Sequence, residues 1–324
     1  MKEFSVSELP RVLSPLPVTG RFRRQPEDFR VTELTSLRHD GVEEHLYLEV
    51  EKTGQNTPWV AQQLAQCFEL SLEDVSWAGM KDRHAVARQW FSLRRPGVPD
   101  SQPDIPGVRV LRRCWHSRKL RRGELTGNAF VISLCDLNGS LDLLSERLSV
   151  LGRQPVPNYF GEQRFGRNNL DQAKAWLSTQ RHQRAKGFRR GLYLSVLRAW
   201  LFNLVLAGRV TDGSWNVCLQ GEATELNRPT GPLWGRGRSR ARCDALEREQ
   251  RYLADCGTWL EALEHVGLSQ DRRLLGMQAS GLEWQMTQDR LRLSFSLPKG
   301  CYATMLLREI CAVVEATPEY HRGG

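Results

Sequence analysis

The chain has 324 residues, 40% of them hydrophobic and 26% charged, a composition that excludes disordered, fibrous and collagen-like classes. Its length favours two folding units over one. Lysine and arginine number 46 against 37 aspartates and glutamates, a net charge of +9. The cations are mostly arginine, whose planar fork suits phosphate, so nucleic acid is the first partner to consider.

Met1 to Pro10 has no apolar run behind a basic start, and no later window reaches the roughly 18 apolar residues of a membrane span. The expectation is an untargeted cytoplasmic protein with no membrane partner. Cysteines 67, 114, 135, 218, 243, 256, 301 and 311 are scattered, with no CxxC pair or Cys/His cluster. They read as reduced thiols, and no metal is expected.

Val31 and Glu33, then Leu46, Leu48 and Val50, alternate as strands around the His39-Asp40-Gly41 turn signal, which predicts a hairpin or a pair of edge strands. Thr57 before Pro58 reads as a helix cap, and Val60, Leu64, Cys67 and Phe68 then recur at helical spacing. That helix is expected to cover the early sheet. Val75 to Ala78 reads as a short strand, Gly79 to His84 as a polar loop and Val86 to Leu93 as a strand.

Further strands are expected at Val108 to Leu111 and Ala129 to Cys135. Ser140 then caps a helix with the stripe Leu141, Leu144, Leu148 and Leu151, closed by Gly152. Near Pro155 the composition shifts, and the next ~120 residues look mainly helical by periodicity, including an apolar Leu192 to Leu206. Asn227 to Pro232 is loop chemistry, and Cys243 to Cys256 a helix with a polar face. Leu282 to Met286 and Leu291 to Leu297 form a hairpin, followed by a helix from Ala303 to Glu315.

Three basic clusters stand out: Arg118-Lys119 with Arg121-Arg122, then Arg181 to Arg190, and Arg236, Arg238, Arg240 and Arg242. Arginine at every second position, in an extended segment, projects to one face and suits a phosphate backbone. Gly231, Gly235 and Gly237 fit neither Walker A nor dinucleotide spacing, so no nucleotide cofactor is expected. The histidines show no HxE or HxxxH pattern with companion cysteines.

Asp82 sits on the polar loop between Lys81 and Arg83, a cationic setting suited to a carboxylate nucleophile or base. The same pattern also describes a salt-bridged surface loop. A resemblance separates the two. Ala78-Gly79-Met80-Lys81-Asp82-Arg83-His84-Ala85-Val86-Ala87-Arg88-Gln89 resembles the catalytic motif of the TruD pseudouridine synthases, with Ala87 where that family commonly has threonine.

Four further blocks agree in order and spacing. They are Pro26-Glu27-Asp28-Phe29, Gly127-Asn128-Ala129-Phe130, Asn158-Tyr159-Phe160-Gly161-Glu162-Gln163-Arg164-Phe165-Gly166, and Leu297 to Thr304 with Arg308-Glu309. The resemblance implies an RNA isomerase that turns uridine into pseudouridine in tRNA, at uridine 13 of the D arm of glutamate tRNA, without a cofactor. It implies Asp82 as the catalytic carboxylate. Phe29, Asn128 and Tyr302 are implied as the uracil pocket, Tyr302 standing where the family has phenylalanine. Arg23 matches a basic family position that could pair with Asp82, and Lys81 and Arg83 support it.

The fold implied is α+β. Residues 1–156 and 284–324 form a discontinuous catalytic domain on a mixed, mostly antiparallel sheet, and 157–283 form a largely helical insertion. A monomer is the default. The rival functions are a noncatalytic RNA-binding or RNA-folding protein, which keeps the basic surface alone, and a nuclease or deaminase, which needs a metal set or acid/base pair.

Overall fold

The structure is a computed structural model and describes residues 5–36, 40–42, 44–94, 103–166, 168–178 and 188–315. In chain order it runs β1 (Val18–Phe22), β2 (Phe29–Leu34), β3 (His45–Thr53), α1 (Thr57–Cys67), β4 (Val75–Trp77), β5 (Val86–Arg94), β6 (Val108–His116), β7 (Gly127–Gly139) and α2 (Leu141–Leu151). Next come β8 (Val156–Pro157), α3 (Glu162–Phe165), α4 (Asn169–Ser178), α5 (Phe188–Thr211), β9 (Thr224–Glu225), β10 (Arg228–Leu233), α6 (Cys243–Tyr252), α7 (Gly257–Glu264), β11 (Asp271–Leu274) and β12 (Gly276–Met277). The chain closes with β13 (Ser280–Met286), β14 (Arg290–Pro298), α8 (Ala303–Ile310) and β15 (Ala312–Glu315).

Contacts divide the chain into two compact units. The sheet unit comprises Leu16–Gly152, Ala279–Gly300 and Ile310–Gly324, and the central unit comprises Met1–Pro15, Arg153–Gln278 and Cys301–Glu309.

The sheet unit is built on ten strands in the order β13-β14-β7-β2-β5-β3-β6, with β1 on β7 and β15, and β4 on β5. Among the described residues the sheet's parallel pairs are β1–β15 and β2–β5, so the sheet is mixed and mostly antiparallel, and the unit is α+β. Alternation explains its core. Leu46, Leu48 and Val50 of β3 face α1, whose Val60, Ala61 and Leu64 complete a fully buried cluster with Phe91 and Leu93 of β5.

Three expectations shift here. β2 and β3 do not form a hairpin, because β5 lies between them, parallel to β2 and antiparallel to β3. Neither is an edge strand. With seven of its nine residues buried, β5 belongs in the middle of a sheet, and it takes that place. The α1 cap is Asn56, whose side chain accepts from Trp59 N at 2.8 Å, one residue before Thr57. The last helix stops at Ile310, and β-branched Val313 and Val314 join β15, which pairs with β1.

The hairpin β13–β14 forms as expected, and β14 then runs antiparallel along β7 from Arg290↔Cys135 to Pro298↔Gly127. α2 starts at the Ser140 cap and buries Leu144, Leu148 and Leu151.

Within the central unit, α5 runs beside α4 and β10, and β11-β10-β9 form a three-stranded sheet. The segment Asn227 to Pro232 is therefore mostly strand and not loop. Leu226 and Asn227 take φ of 52° and 57° to make the turn before it. The stretch Arg189–Thr211 of α5 is also long and apolar enough, by length and composition, to cross a membrane, which corrects the earlier reading of the apolar windows. Its Leu194, Val196, Leu197, Trp200, Leu201, Phe202, Val205 and Leu206 are buried, the pattern of a core helix.

Arg236, Arg238, Arg240 and Arg242 are all exposed, on an irregular segment and not a continuous strand. Arg118, Lys119, Arg121 and Arg122 are exposed on the loop between β6 and β7. Residues 181–187 of the remaining basic cluster lie outside the described residues.

Candidate active site

The loop between β4 and β5 carries Asp82, and each side chain that fixes it comes from a neighbouring element of the sheet unit. Arg23 Nη2 donates to Asp82 Oδ2 at 2.6 Å, with the arginine side chain 11% exposed and the aspartate 25%. Arg23 itself follows β1 at φ 61°, in the left-handed region that non-glycine residues seldom adopt. Its guanidinium lies 4.8 Å from the Phe22 ring centroid and 4.7 Å from that of Phe29. Two aromatic faces thus hold the fork that grips the carboxylate.

Phe29 opens β2, buried, with Phe22 edge-on at 5.6 Å and Phe130 of β7 at 5.8 Å. Two positions on along the same face, after Val31, comes Glu33, paired in register with Asn128 of β7. Lys81 Nζ donates to Glu33 Oε2 at 2.8 Å, both side chains almost fully buried. Glu33 Oε1 and Asn128 Oδ1 are buried without a hydrogen-bond partner among the described residues. Asn128 follows Gly127, where a Cβ would come within 2.4 Å of the Leu297 carbonyl oxygen, so the tight β7–β14 approach requires glycine.

The expected flanking cations therefore do different work. Arg83 Nε donates to the carbonyl of Gly54 at 3.1 Å, and Gly54 sits at φ +71° in the turn after β3. Lys81 is committed to Glu33. Asp82 pairs directly with Arg23, which arrives from a different strand.

Three anchors of the loop backbone were not among the expected site residues. Gln89 Nε2 donates to Gly79 O at 3.2 Å, and its Oε1 accepts from Thr57 Oγ1 at 2.8 Å. Thr57 Oγ1 accepts in turn from Lys81 N at 3.0 Å, so the residue expected to cap α1 ties the loop down instead. Lys52, with no exposed surface, donates to Asp82 O at 2.7 Å and to Gln55 O at 2.6 Å. Burial pushes its ammonium down to about 8, against the attraction of Asp82 and with the repulsion of Lys81. A signal for it exists in the sequence, since period two places Lys52 on the face of Leu46, Leu48 and Val50, where only a partnered lysine can stand.

Tyr302 belongs to the central unit. Its ring meets that of Phe160 at 6.0 Å in a T-shaped pair, and burial raises its phenol against the pull of Arg164 and Arg273. The Arg273 guanidinium lies 4.1 Å from the Phe160 centroid and donates to Asn158 Oδ1 at 2.6 Å. The Asn158 to Gly166 block and Tyr302 are thus gathered in one unit, and Asp82, Arg23, Phe29 and Asn128 in the other.

A cavity of about 720 Å³ in the sheet unit is bordered by Thr32, Glu33, Tyr47, Trp90 and Arg112, among others, and shares only Glu33 with the Asp82 group. Among the described residues no group of three His, Cys, Asp or Glu side chains could hold a metal ion.

The family model described as tRNA pseudouridine synthase D (TruD) matches residues 11–174 and 223–310. The chain is 43% identical to a tRNA pseudouridine synthase D of Cellvibrio japonicus, over 96% of this chain and 94% of that one. It is 38% identical to one of Hydrogenovibrio crunogenus, over 91% and 93%. A crystal structure of a TruD protein from Methanosarcina mazei superposes with a TM-score of 0.68 at 19% identity, covering 94% of this chain and 96% of that chain, and shares the fold. An α+β unit on a mixed sheet, with a clamped loop aspartate, is here the framework of a pseudouridine synthase. More narrowly, the chain belongs to the TruD family.

Proposed function

We propose that this chain isomerises uridine to pseudouridine in tRNA, at uridine 13 of the D arm of glutamate tRNA, with Asp82 as the catalytic carboxylate. The observation that carries the reading is the 2.6 Å clamp of Arg23 on Asp82, on a loop whose backbone is held at Gly79, Lys81 and Asp82. Such a clamp orients one carboxylate oxygen and offsets its charge, as attack on the ribose or removal of a ribose proton requires. The glycosidic C–N bond breaks, the uracil turns, and its C5 bonds to C1′ while the C5 proton leaves to solvent and N1 takes up a proton in exchange. Nothing is gained or lost overall, so the reaction draws on no external group donor or electron source.

The uridine must leave its stack to reach Asp82. Phe29 lies one guanidinium away from the carboxylate, which supports its part as an aromatic wall. Asn128 Oδ1, buried and without a hydrogen-bond partner among the described residues, is an acceptor suited to the N3–H of uracil. By family position Tyr302 is a further uracil-binding residue, and Lys81 and Arg83 support the loop. The target uridine rests on the family resemblance alone. The same reading takes residues 1–156 and 284–324 as the catalytic domain, 157–283 as the insertion, and the protein as a cytoplasmic monomer without cofactor or membrane partner.

The test uses unmodified tRNA with tritium at uridine C5. Wild type releases tritium and D82N does not, while both bind the tRNA. Equal release from the two, or none from wild type, overturns the catalytic assignment, and binding without release would leave an RNA-binding protein.

A further inference from the structure

Burying a lysine ammonium is unfavourable unless hydrogen-bond partners offset the lost hydration, so a lysine with no exposed surface needs a reason. Lys52 sits at the end of β3, on the face that β3 otherwise fills with Leu46, Leu48 and Val50. Its cross-strand neighbours, Ala87 on β5 and Val108 on β6, offer no charge. Its two acceptors are main-chain carbonyls, those of Gln55 and of Asp82. The ammonium thus bridges the turn that leads into α1 and the one residue of the loop that the proposed chemistry uses.

The other two side chains that grip the loop backbone, Gln89 and Thr57, are neutral and hold residues other than Asp82. Gln89 holds Gly79, and Thr57 holds Lys81. Arg23 holds the Asp82 carboxylate. We propose that Lys52 is a positioning residue for the Asp82 carboxylate, fixing the peptide that presents it and placing a buried positive charge beside it. The proposal rests on the assignment of Asp82 as the reacting group. Two cations then define the carboxylate: Arg23 from the side chain end and Lys52 from the main chain.

A positioning role and a purely structural one differ in what they move. A misplacement of ~1 Å at a reacting group costs about 100-fold in rate while substrate contacts elsewhere are unchanged. K52M, isosteric but without donors or charge, is therefore expected to lower single-turnover tritium release from C5-labelled tRNA about 100-fold. Its KM for tRNA should stay within about twofold of wild type, the signature of a loss confined to the transition state. K52R keeps charge and donors and is expected to recover at least about tenfold of that loss.

Circular dichroism and thermal melts accompany each variant, with D82N alongside. D82N inactive and K52M as fast as wild type overturns the proposal and leaves the assignment of Asp82 standing. D82N active overturns that assignment, and the proposal with it. A rise in KM with unchanged kcat, or no recovery in a folded K52R, assigns Lys52 to RNA binding or to packing and overturns the proposal. If both variants are unfolded, Lys52 serves the fold, which also overturns it.

Discussion

Arg23 spends a left-handed backbone and two aromatic contacts on holding a single carboxylate. Lysine at this position can supply the charge but not the planar fork between Phe22 and Phe29. R23M should therefore lower tritium release about 100-fold, and R23K by less, with single-turnover assays on saturating tRNA as the measure. Two other buried groups predict opposite responses to alkali. Burial brings Lys52 down to about 8, below its ordinary range. Between there and the ordinary lysine range the unfolded chain holds a proton the fold has released, so this group's contribution makes stability rise with pH.

Burial brings the Tyr47 phenol up to about 12, and its hydroxyl donates to Arg118 O at 2.9 Å. Above pH ~10 the unfolded chain loses a proton that the fold retains, so this contribution falls as pH rises toward 12. Urea titrations across this range compare wild type with K52M and Y47F. The stability of wild type relative to K52M should rise from pH 8 to 10, and relative to Y47F it should fall above 10. A flat difference in either pair contradicts the corresponding assignment.

Among elements, α1 and β5 decide where the loop lies. Thr57 at the first turn of α1 and Gln89 on β5 share one buried hydrogen bond and each hold a loop backbone atom. T57V keeps the shape but leaves Lys81 N–H and Gln89 Oε1 without this partner, a cost of about 1–3 kcal/mol. N56A, which removes the true cap, costs about 1 kcal/mol and leaves the loop untouched. Melts report both losses, and only T57V should also slow the reaction.

The sequence alone showed the elements whose signals are local. Alternation marked β13 and β14, and the apolar stripe with its serine cap marked α2. Partnership between strands was not legible, because alternation names a face and not a neighbour, so β5 between β2 and β3 went unseen. The Asp82 loop and the residues of the TruD motifs were legible through dispersed blocks. Lys52 was missed because a lysine in a strand reads as solvent-facing until its alternation partners are counted, and Thr57 because cap and anchor residues share the same chemistry.

At the scale of the molecule, charge governs the encounter with RNA. With +9 net charge and exposed Arg236, Arg238, Arg240 and Arg242, log affinity for tRNA should fall linearly with log salt. Replacing these four with alanine should lower the slope by about 1 for each arginine that meets a phosphate. Filter binding at a series of salt concentrations gives the slope, and an unchanged value would remove this segment from the RNA surface.

The pairing of β7 with β14 carries a further consequence, for the making of the protein. β7 is translated early, yet the strand that runs along its edge from Cys135 to Gly127 lies beyond residue 289. At ribosomal rates that edge stands open for on the order of 10 s, with Phe130 and Ile132 awaiting cover. The central segment emerges in that interval, so the nascent chain must finish its middle before it can seal its first sheet.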